Sequence, residues 1–420
     1  MTNSSIHNLL HKGTSRVIDE VNLTKRLERG DKLVVKFGID PSGTIVHIGH
    51  MVPILKLKAF QSLGHTIVLT IGDATAQVGD ASDKDAERPM LRREETRHNA
   101  EIFLQKFAKV LDLEKTEVYW NSEWLDAVNF ASVGELAKNF SVAEMLDRDN
   151  FSKRYKWGIR ISLQEFLYPI MQGYDSVAIA KKYGACDVEL GGNDQYFNLL
   201  AGRTLMDAHR LPKQDIMTFD LLVGSDGKKM SKTSPNTVAI DEAPQSMYQK
   251  LINIQDDLIL KYFELATDAT LEEVEVIRNR LEWGEHPNML KIELAQRIIT
   301  MYHGKEYDEA DSENIEKVLL SQLNIDTDFS FWDGSGYGWW MWSGAWDWTW
   351  NWWESGAIPI FHLLKAIEFC ATSWDVRNAL SGNSVRVNGE IITDAKFLVS
   401  ISPEGTLIEM GKKKAKRVFL

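Results

Sequence analysis

Residues 32–73 read KLVVKFGIDPSGTIVHIGHMVPILKLKAFQSLGHTIVLTIGD, and this stretch decides the fold. The apolar run at 32–40 predicts a β-strand, the pattern over 47–63 predicts a helix, and 65–73 predicts a second strand that ends in a glycine. Strand, helix and strand within so short a stretch form a βαβ unit, which implies a parallel sheet with a right-handed crossover.

The same alternation continues on the C-terminal side of this unit. An amphipathic helix is predicted over 91–111, and further strands at 116–120, 187–190 and 216–223. The sequence therefore predicts an α/β fold with a doubly wound, Rossmann-like parallel sheet.

We divide the chain into four parts. The Rossmann-like domain covers residues 1–225 and includes a helical insert at about 122–165. A basic loop and a helical domain follow at 226–325, a Trp-rich linker at 326–357, and a small α+β unit at 358–420.

Composition narrows the class of protein. Hydrophobic residues make up 44% and charged residues 26%, as in globular proteins with a core. The sequence contains no run of ~18 apolar residues that would predict a membrane span. The polar N-terminus lacks the apolar core of a secretion signal. The two cysteines, Cys186 and Cys370, match no metal-ligand spacing. We expect a cytoplasmic protein without a resident metal site.

The charge is unevenly distributed. The formal net charge is -12, yet residues 359–420 carry nine Lys and Arg against six Asp and Glu, and the chain ends in GKKKAKRVFL. An acidic body with a basic tail region fits local attraction to a polyanion. A solvated surface strand explains the tail equally well.

Residues 332–353 hold nine of the 14 tryptophans. A platform that stacks RNA bases is one interpretation. We favour a self-packing aromatic linker, because no basic residue interleaves with the rings.

The first cluster with chemical potential is His47-Ile48-Gly49-His50, at the start of the predicted helix. A helix N-terminus that follows a parallel strand presents free amide groups to a phosphate. His47 and His50 lie three residues apart, so both rings can reach one ligand, and Gly49 lets a nucleotide approach the backbone. Two histidines on a helix can also be incidental.

A basic loop follows the last predicted strand. It reads GKKMSKT over residues 227–233, and Lys229 and Lys232 can both reach a triphosphate. Taken alone, it could equally be an exposed loop without a ligand.

Polar residues also repeat on one helix face. Tyr168, Gln172 and Asp175 follow i, i+4, i+7 spacing, which suits a pocket with an ammonium site at one end and a phenol site at the other. Two further polar segments are GGNDQ at 191–195, with Asp194 and Gln195, and GDASDK at 79–84, followed by Arg88.

The H-I-G-H and K-M-S-K-T segments together are typical of class I aminoacyl-tRNA synthetases. With the other clusters, the chain resembles the tyrosyl-tRNA synthetase family over residues 40–233 and again from 361 to the end. The tail resembles the small RNA-binding domain that this family shares with a ribosomal small-subunit protein. Tryptophan-charging relatives usually lack it.

This resemblance implies a two-step reaction that activates tyrosine with Mg-ATP and then charges tRNA(Tyr), by a homodimer with an anticodon-binding helical domain. It implies that catalytic roles fall to His47, His50, Lys84, Arg88, Lys229 and Lys232. It implies ATP contacts from Asp40, Ser42, His47, Gly49, His50, Gly192, Asp194, Lys229, Met230, Ser231 and Lys232. It implies tyrosine contacts from Lys36, Asp40, Asp80, Tyr168, Gln172, Asp175 and Gln195, and RNA contacts from Ser373, Arg377, Arg386 and Asn388.

The chain departs from the family pattern at three places. F-D-P-T is replaced by residues 39–42, IDPS, and G-D-P-S-G-K by residues 79–84, GDASDK. Lys36 stands where many members have a phenol-binding tyrosine. Three alternatives stay open: a tryptophan-charging synthetase, a nucleotidyltransferase that makes a small metabolite, and a non-catalytic RNA-binding relative.

Overall fold

A computed structural model describes residues 3–80, 91–147, 149–228, 230, 236–282, 285–304, 357–367, 369–370, 373–394, 397–400, 406–411 and 414–418. The chain forms two compact units. The first comprises Met1–Glu275 with Asn288–Asp308, and the second comprises Val276–Pro287 with Glu309–Leu420. The division into four parts stays a prediction, and the Trp-rich stretch at 332–353 lies outside the described residues.

A six-stranded sheet forms the centre of the first unit. Its strands are β1 (Thr14–Ile18), β2 (Val34–Ile39), β3 (Thr66–Ile71), β4 (Thr116–Trp120), β5 (Val188–Gly192) and β6 (Asp215–Phe219). Their order is β1-β6-β5-β2-β3-β4, and β2 to β6 pair in parallel. The predicted Rossmann-like sheet is confirmed.

The sheet differs from the prediction at one edge, where β1 pairs antiparallel with β6 and makes the sheet mixed. The sequence of β1, TSRVI, is half-exposed along its whole length. It therefore lacks the buried apolar run by which the parallel strands were recognised.

Two helices of this unit, at 48–62 and 93–107, lie within the segments 47–63 and 91–111 that were predicted to be helical. The helices of the unit are α1 (Asn3–His11), α2 (Glu20–Glu28), α3 (Ile48–Ser62), α4 (Arg93–Phe107), α5 (Ser122–Leu125), α6 (Phe130–Ala137), α7 (Val142–Leu146), α8 (Asp149–Lys156), α9 (Leu163–Tyr183), α10 (Tyr196–Ala208), α11 (Pro244–Ile252), α12 (Ile259–Ala266), α13 (Leu271–Glu282) and α14 (Pro287–His303). The last of these, α13 and α14, extend across the boundary between the two units. No described helix is long and apolar enough to cross a membrane.

Helix α9 is the element that carries most of the predicted polar residues. Ser162 caps it in a capping box with Glu165, and Gly184 ends it in the left-handed region at φ 80°. A Cβ on Gly173 would lie 2.9 Å from backbone atoms of Ala201, so glycine lets α9 pack closely on α10.

The C-terminal part of the second unit contains short helices and strands. They are β7 (Ala357–Pro359), α15 (Ile360–Ala366), α16 (Ser373–Ser381), β8 (Val385–Val387), β9 (Glu390–Ile391), β10 (Leu398–Ser400), β11 (Thr406–Met410) and β12 (Lys414–Val418). They pair in the orders β12-β11-β8-β9 and β10-β7. Asn388 and Gly389 have φ of 49° and 88° and form a tight hairpin turn between β8 and β9.

His65, at the start of β3, is a buried imidazole in the first unit. It is 5% exposed, and its Nδ1 accepts the Leu33 N–H at 3.2 Å. Burial, together with the nearby Lys32, lowers the pKa of His65 to about 4. Protonation would place a second donor against the Leu33 N–H, so folding favours the neutral ring.

We therefore expect acid to weaken the fold through His65. Between pH 6.5 and 4 the unfolded chain binds the proton and the folded chain does not, so the free energy of unfolding falls by about 3 kcal/mol as the pH drops. His65→Gln keeps an acceptor but does not titrate. Urea denaturation should show the stability gap between wild type and variant narrowing from pH 7 to pH 4. A constant gap would contradict this account of His65.

Candidate active site

A cavity of about 260 Å³ opens at the carboxyl ends of β2, β3 and β5, beside the first turn of α3. In open parallel sheets this edge is where ligands bind. The lining includes Gly38, Ile39, Asp40, Gly49, His50, Thr70, Gly72, Thr75, Asp80, Asn121, Tyr168, Gln172, Asp175, Leu190, Gly191, Gly192, Asp194, Gln195, Phe219 and Asp220.

Asp40 follows β2 in the cavity wall. Its carboxylate accepts hydrogen bonds from the hydroxyls of Tyr168 at 2.9 Å and Thr75 at 2.7 Å. Burial raises the pKa of Asp40 to about 7, although these two hydrogen bonds oppose the rise. A Cβ on Gly72 would lie 1.8 Å from Asp40 Oδ1, so this arrangement needs glycine at 72.

A second carboxylate, Asp80, lies on the same cavity. Gln195 Nε2 donates to Asp80 Oδ2 at 2.6 Å, and Asn198 Nδ2 donates to Gln195 Oε1 at 3.0 Å. Gln172 contributes a buried Oε1 that has no partner among the described residues. Carboxylate and amide acceptors therefore converge where a cation would be bound.

Asp175 is a third carboxylate, buried in the wall and contributed by α9. Trp124 Nε1 donates to Asp175 Oδ1 at 2.8 Å, and Asn121 Nδ2 lies 3.4 Å from Oδ2. Burial raises the pKa of Asp175 to about 6, and Lys36 and the two donors oppose the rise. Above about pH 6 Asp175 is thus mainly an anion, which can accept a further hydrogen bond.

Asn121 connects the two ends of the cavity. Its Nδ2 also lies 3.0 Å from Thr75 Oγ1, and its Oδ1 accepts the Ala74 N–H at 2.9 Å. Thr75 in turn donates to Asp40. One polar chain therefore fixes Asp40 and Asp175 relative to each other.

His47 and His50 stack with their ring centroids 3.7 Å apart. His50 Nδ1 accepts the His47 backbone N–H at 3.2 Å, so the proton of the neutral ring is on Nε2. His50 lines the cavity, whereas His47 does not. Only His50 therefore directs a ring donor to a ligand in this cavity.

The two ends of the predicted basic loop are joined. Asn236 Nδ2 donates to Asp226 Oδ1 at 2.7 Å, and Gly224 N–H donates to Lys228 O at 2.7 Å. Residues 238–240 then pair with the segment around His47, through Ile48 N–H to Val238 O at 3.0 Å. The flanks of residues 229–235 therefore meet the start of α3.

The structure brings many of the predicted residues to one cavity and leaves others out. Those in the lining are Asp40, Gly49, His50, Asp80, Tyr168, Gln172, Asp175, Gly192, Asp194 and Gln195. Ser42, Lys36, His47 and Met230 are not in it. Lys84, Arg88, Lys229, Ser231 and Lys232 lie outside the described residues. Within the described part of the chain, no cluster of His, Cys, Asp and Glu could hold a metal ion.

Lys36 lies behind the cavity wall. It is fully buried, and its Nζ is 2.7 Å from Glu189 Oε1. The predicted contact of Lys36 with tyrosine would therefore need a rearrangement of this ion pair.

Thr75, Asn121 and Trp124 are polar contributors that the sequence did not reveal. Thr75 and Asn121 each follow a strand as a single residue outside any motif. Trp124 lies in the predicted helical insert, and its indole Nε1 donates to Asp175. They follow β3 and β4, at the edge of the sheet where ligands bind, and this position could have been used to predict them.

The residues predicted to bind RNA lie in the second unit. Arg377 on α16 and Arg386 on β8 are exposed, and Ser373 is the first residue of α16. Asn388 Oδ1 accepts the Leu407 N–H at 2.9 Å, so this side chain has a role inside the fold.

Comparison with known proteins identifies the family of this chain. The family model for tRNA synthetases of class I (W and Y) matches residues 28–320. The chain is 38% identical to tyrosine–tRNA ligase 2 of Vibrio parahaemolyticus, over 98% of this chain and 97% of that protein. It is also 38% identical to the tyrosine–tRNA ligase of Thermotoga maritima, over 98% and 96%.

Solved structures share the fold. A C-terminally truncated mitochondrial tyrosyl-tRNA synthetase of Aspergillus nidulans superposes with a TM-score of 0.62 at 21% identity, over 77% of this chain and 94% of that one. The match to the family model and the near full-length relatives together show that the chain belongs to the class I aminoacyl-tRNA synthetases and, among them, to the tyrosine–tRNA ligase family.

Proposed function

We propose that the cavity is the site where this tyrosine–tRNA ligase activates its amino acid. A carboxylate oxygen of tyrosine attacks the α-phosphorus of Mg-ATP, the bond to the β-phosphate oxygen breaks, and tyrosyl-adenylate and pyrophosphate form. A hydroxyl of the terminal tRNA ribose then takes the tyrosyl group and releases AMP. The attacking carboxylate needs no general base, so positioning and charge stabilisation supply the catalysis.

One observation carries the assignment of tyrosine: the buried Asp175 carboxylate with its fixed donors. In this proposal the phenol donates to Asp175. The ammonium group lies at the other end, near Asp40, Asp80 and the unpartnered Gln172 Oε1. Such a pocket is polar at both ends and accepts hydrogen bonds at both, as tyrosine requires.

ATP is proposed to bind at the start of α3. In this proposal His50 Nε2 and the positive end of the α3 dipole face the phosphates, and Gly192 and Asp194 lie in the lining near the ribose position. Lys229 and Lys232, with Lys84 and Arg88, are proposed to stabilise the departing pyrophosphate. The meeting of the flanks of residues 229–235 with the start of α3 supports this role for Lys229 and Lys232.

The same proposal includes tRNA(Tyr), a second copy of the chain and a cytoplasmic location, where these substrates meet. Exposed apolar side chains in the helical insert support a homodimer, with Phe130 93% and Leu163 81% exposed. Exposed Arg377 and Arg386 support RNA binding by the C-terminal part.

Asp175→Asn should reduce discrimination between tyrosine and phenylalanine. Loss of a hydrogen bond to a charged acceptor lowers kcat/KM for tyrosine by about tenfold to a hundredfold. Phenylalanine, which makes no such bond, should be affected less. Pyrophosphate exchange with both amino acids measures the ratio, and Asp126→Asn at the exposed pair with Arg93 is the matched control. An unchanged ratio in Asp175→Asn would remove the phenol assignment.

His50→Ala should slow adenylate formation by about a hundredfold, because a donor to the reacting phosphate is lost. Tyrosine binding should hold, since the donor acts mainly in the transition state. Single-turnover adenylate formation and tyrosine titration separate the two effects. His98→Ala, on the exposed side of α4, is the control. Equal losses in binding and rate would argue against this role.

The pair Arg377→Glu and Arg386→Glu should raise KM for tRNA and leave pyrophosphate exchange unchanged. If each arginine neutralises a phosphate, the dependence of log KM on log salt weakens by about two units. Lys115→Glu, before β4 at the sheet edge opposite the cavity, is the control for charge reversal in the first unit. Charging kinetics at several salt concentrations test this, and an unchanged KM would refute it.

A further inference from the structure

Lys36 is a lysine in the middle of the central strand β2. Its cross-strand partner in the register of β2 and β5 is Glu189, and both side chains are fully buried. The Lys36 ammonium lies 2.7 Å from Glu189 Oε1. A buried charge pair on the central strands is costly to desolvate, so its position calls for a role beyond stability.

The ammonium group also contacts α9 at the turn that carries Asp175. Lys36 Nζ donates to Ser176 Oγ at 2.9 Å and lies 3.4 Å from the backbone oxygen of Gln172. Ser176 immediately follows Asp175, and Gln172 lies three residues before Asp175. Lys36 therefore sits directly behind the turn that presents Asp175 and Gln172 to the cavity.

Asp175 is surrounded by ionisable groups from several elements. They are Lys36 and Asp40 on or after β2, Glu189 on β5 and Tyr168 on α9. The neutral donors Trp124 and Asn121 complete the shell. Burial raises the pKa of Asp175 to about 6, Lys36 opposes this most strongly, and Glu189 adds to it less.

We propose that Lys36 is a positioning residue that keeps Asp175 ionised at neutral pH and thereby sets the preference for tyrosine over phenylalanine. This inference rests on the proposed function, in which Asp175 accepts the phenol. An ionised carboxylate is the stronger acceptor for a phenol. It is also the more costly group to leave unpaired against phenylalanine. The lysine therefore acts through Asp175, without contact to the substrate.

The test is the pH dependence of the ratio of kcat/KM for tyrosine to kcat/KM for phenylalanine, measured by pyrophosphate exchange with the full chain. The ratio cancels effects that both substrates share, including the titration of Asp40 and any loss of active protein. In the wild type the ratio should fall as the pH drops through about 6, because Asp175 gains a proton there.

Lys36→Met should raise the pH at which the ratio falls by about one pH unit or more. The ratio at pH 6 should then be about fivefold below wild type. It should return towards the wild-type value above pH 8.5. Recovery at high pH separates a change of charge from damage to the pocket, which alkali would not repair. Since Lys36→Met leaves Glu189 unpaired, the double variant Lys36→Met with Glu189→Gln should still shift the fall upward, but by less than Lys36→Met alone, because Glu189 no longer opposes ionisation of Asp175.

Glu189→Gln alone should shift the pH dependence in the opposite direction. It removes a group that opposes ionisation of Asp175, so the ratio should fall at or below the pH at which it falls in the wild type. An upward shift in Glu189→Gln as large as that in Lys36→Met would show that disturbed packing moves the ratio, and would overturn the proposal.

Asp175→Asn separates failure of this inference from failure of the proposed function. If Asp175→Asn leaves the ratio unchanged at every pH, the phenol assignment itself fails. If Asp175→Asn lowers the ratio while both Lys36 variants follow the wild-type curve, only the role of Lys36 is refuted.

Discussion

The site that we propose depends on one constraint: the carboxylate of Asp175 must stay charged within a buried wall. Asp175 loses water on folding, and an unpaired buried charge would simply take up a proton. Two fixed donors, Trp124 and Asn121, and the nearby Lys36 ammonium compensate for part of that loss. These three groups come from two segments that are distant in sequence, the start of α5 and β2, so the charge on Asp175 depends on both being packed against α9.

Helix α9 contributes one wall of the pocket. Tyr168, Gln172 and Asp175 line the cavity from one face, while Ser176 contacts Lys36 behind the wall. Close packing of α9 on α10 at Gly173 leaves the helix little freedom to shift. The distance between Tyr168 and Asp175, at the two proposed ends of the pocket, is therefore set by helix geometry, and Asn121 and Thr75 connect Asp175 to Asp40 on the opposite side.

Sequence analysis predicted most of the fold because buried strands and amphipathic helices leave periodic patterns. The strand at residues 116–120 was predicted without error, whereas β1 was missed because its half-exposed residues carry no such pattern. The candidate site was predicted where residues stand in spaced motifs, as on α9. The parts of the site in which a side chain has a hydrogen-bond or ion-pair partner far away in the sequence were not predicted. Glu189 lies 153 residues from Lys36 and Trp124 lies 51 from Asp175. Only tertiary structure shows that Lys36 belongs to an ion pair behind the wall.

The central claim is that the cavity selects an amino acid with a phenol by means of a buried, ionised acceptor. Pyrophosphate exchange with each of the twenty amino acids in turn tests it most directly. The account predicts exchange with tyrosine far above every other amino acid, with phenylalanine and tryptophan both poor. Exchange with tryptophan or phenylalanine as fast as with tyrosine would contradict it.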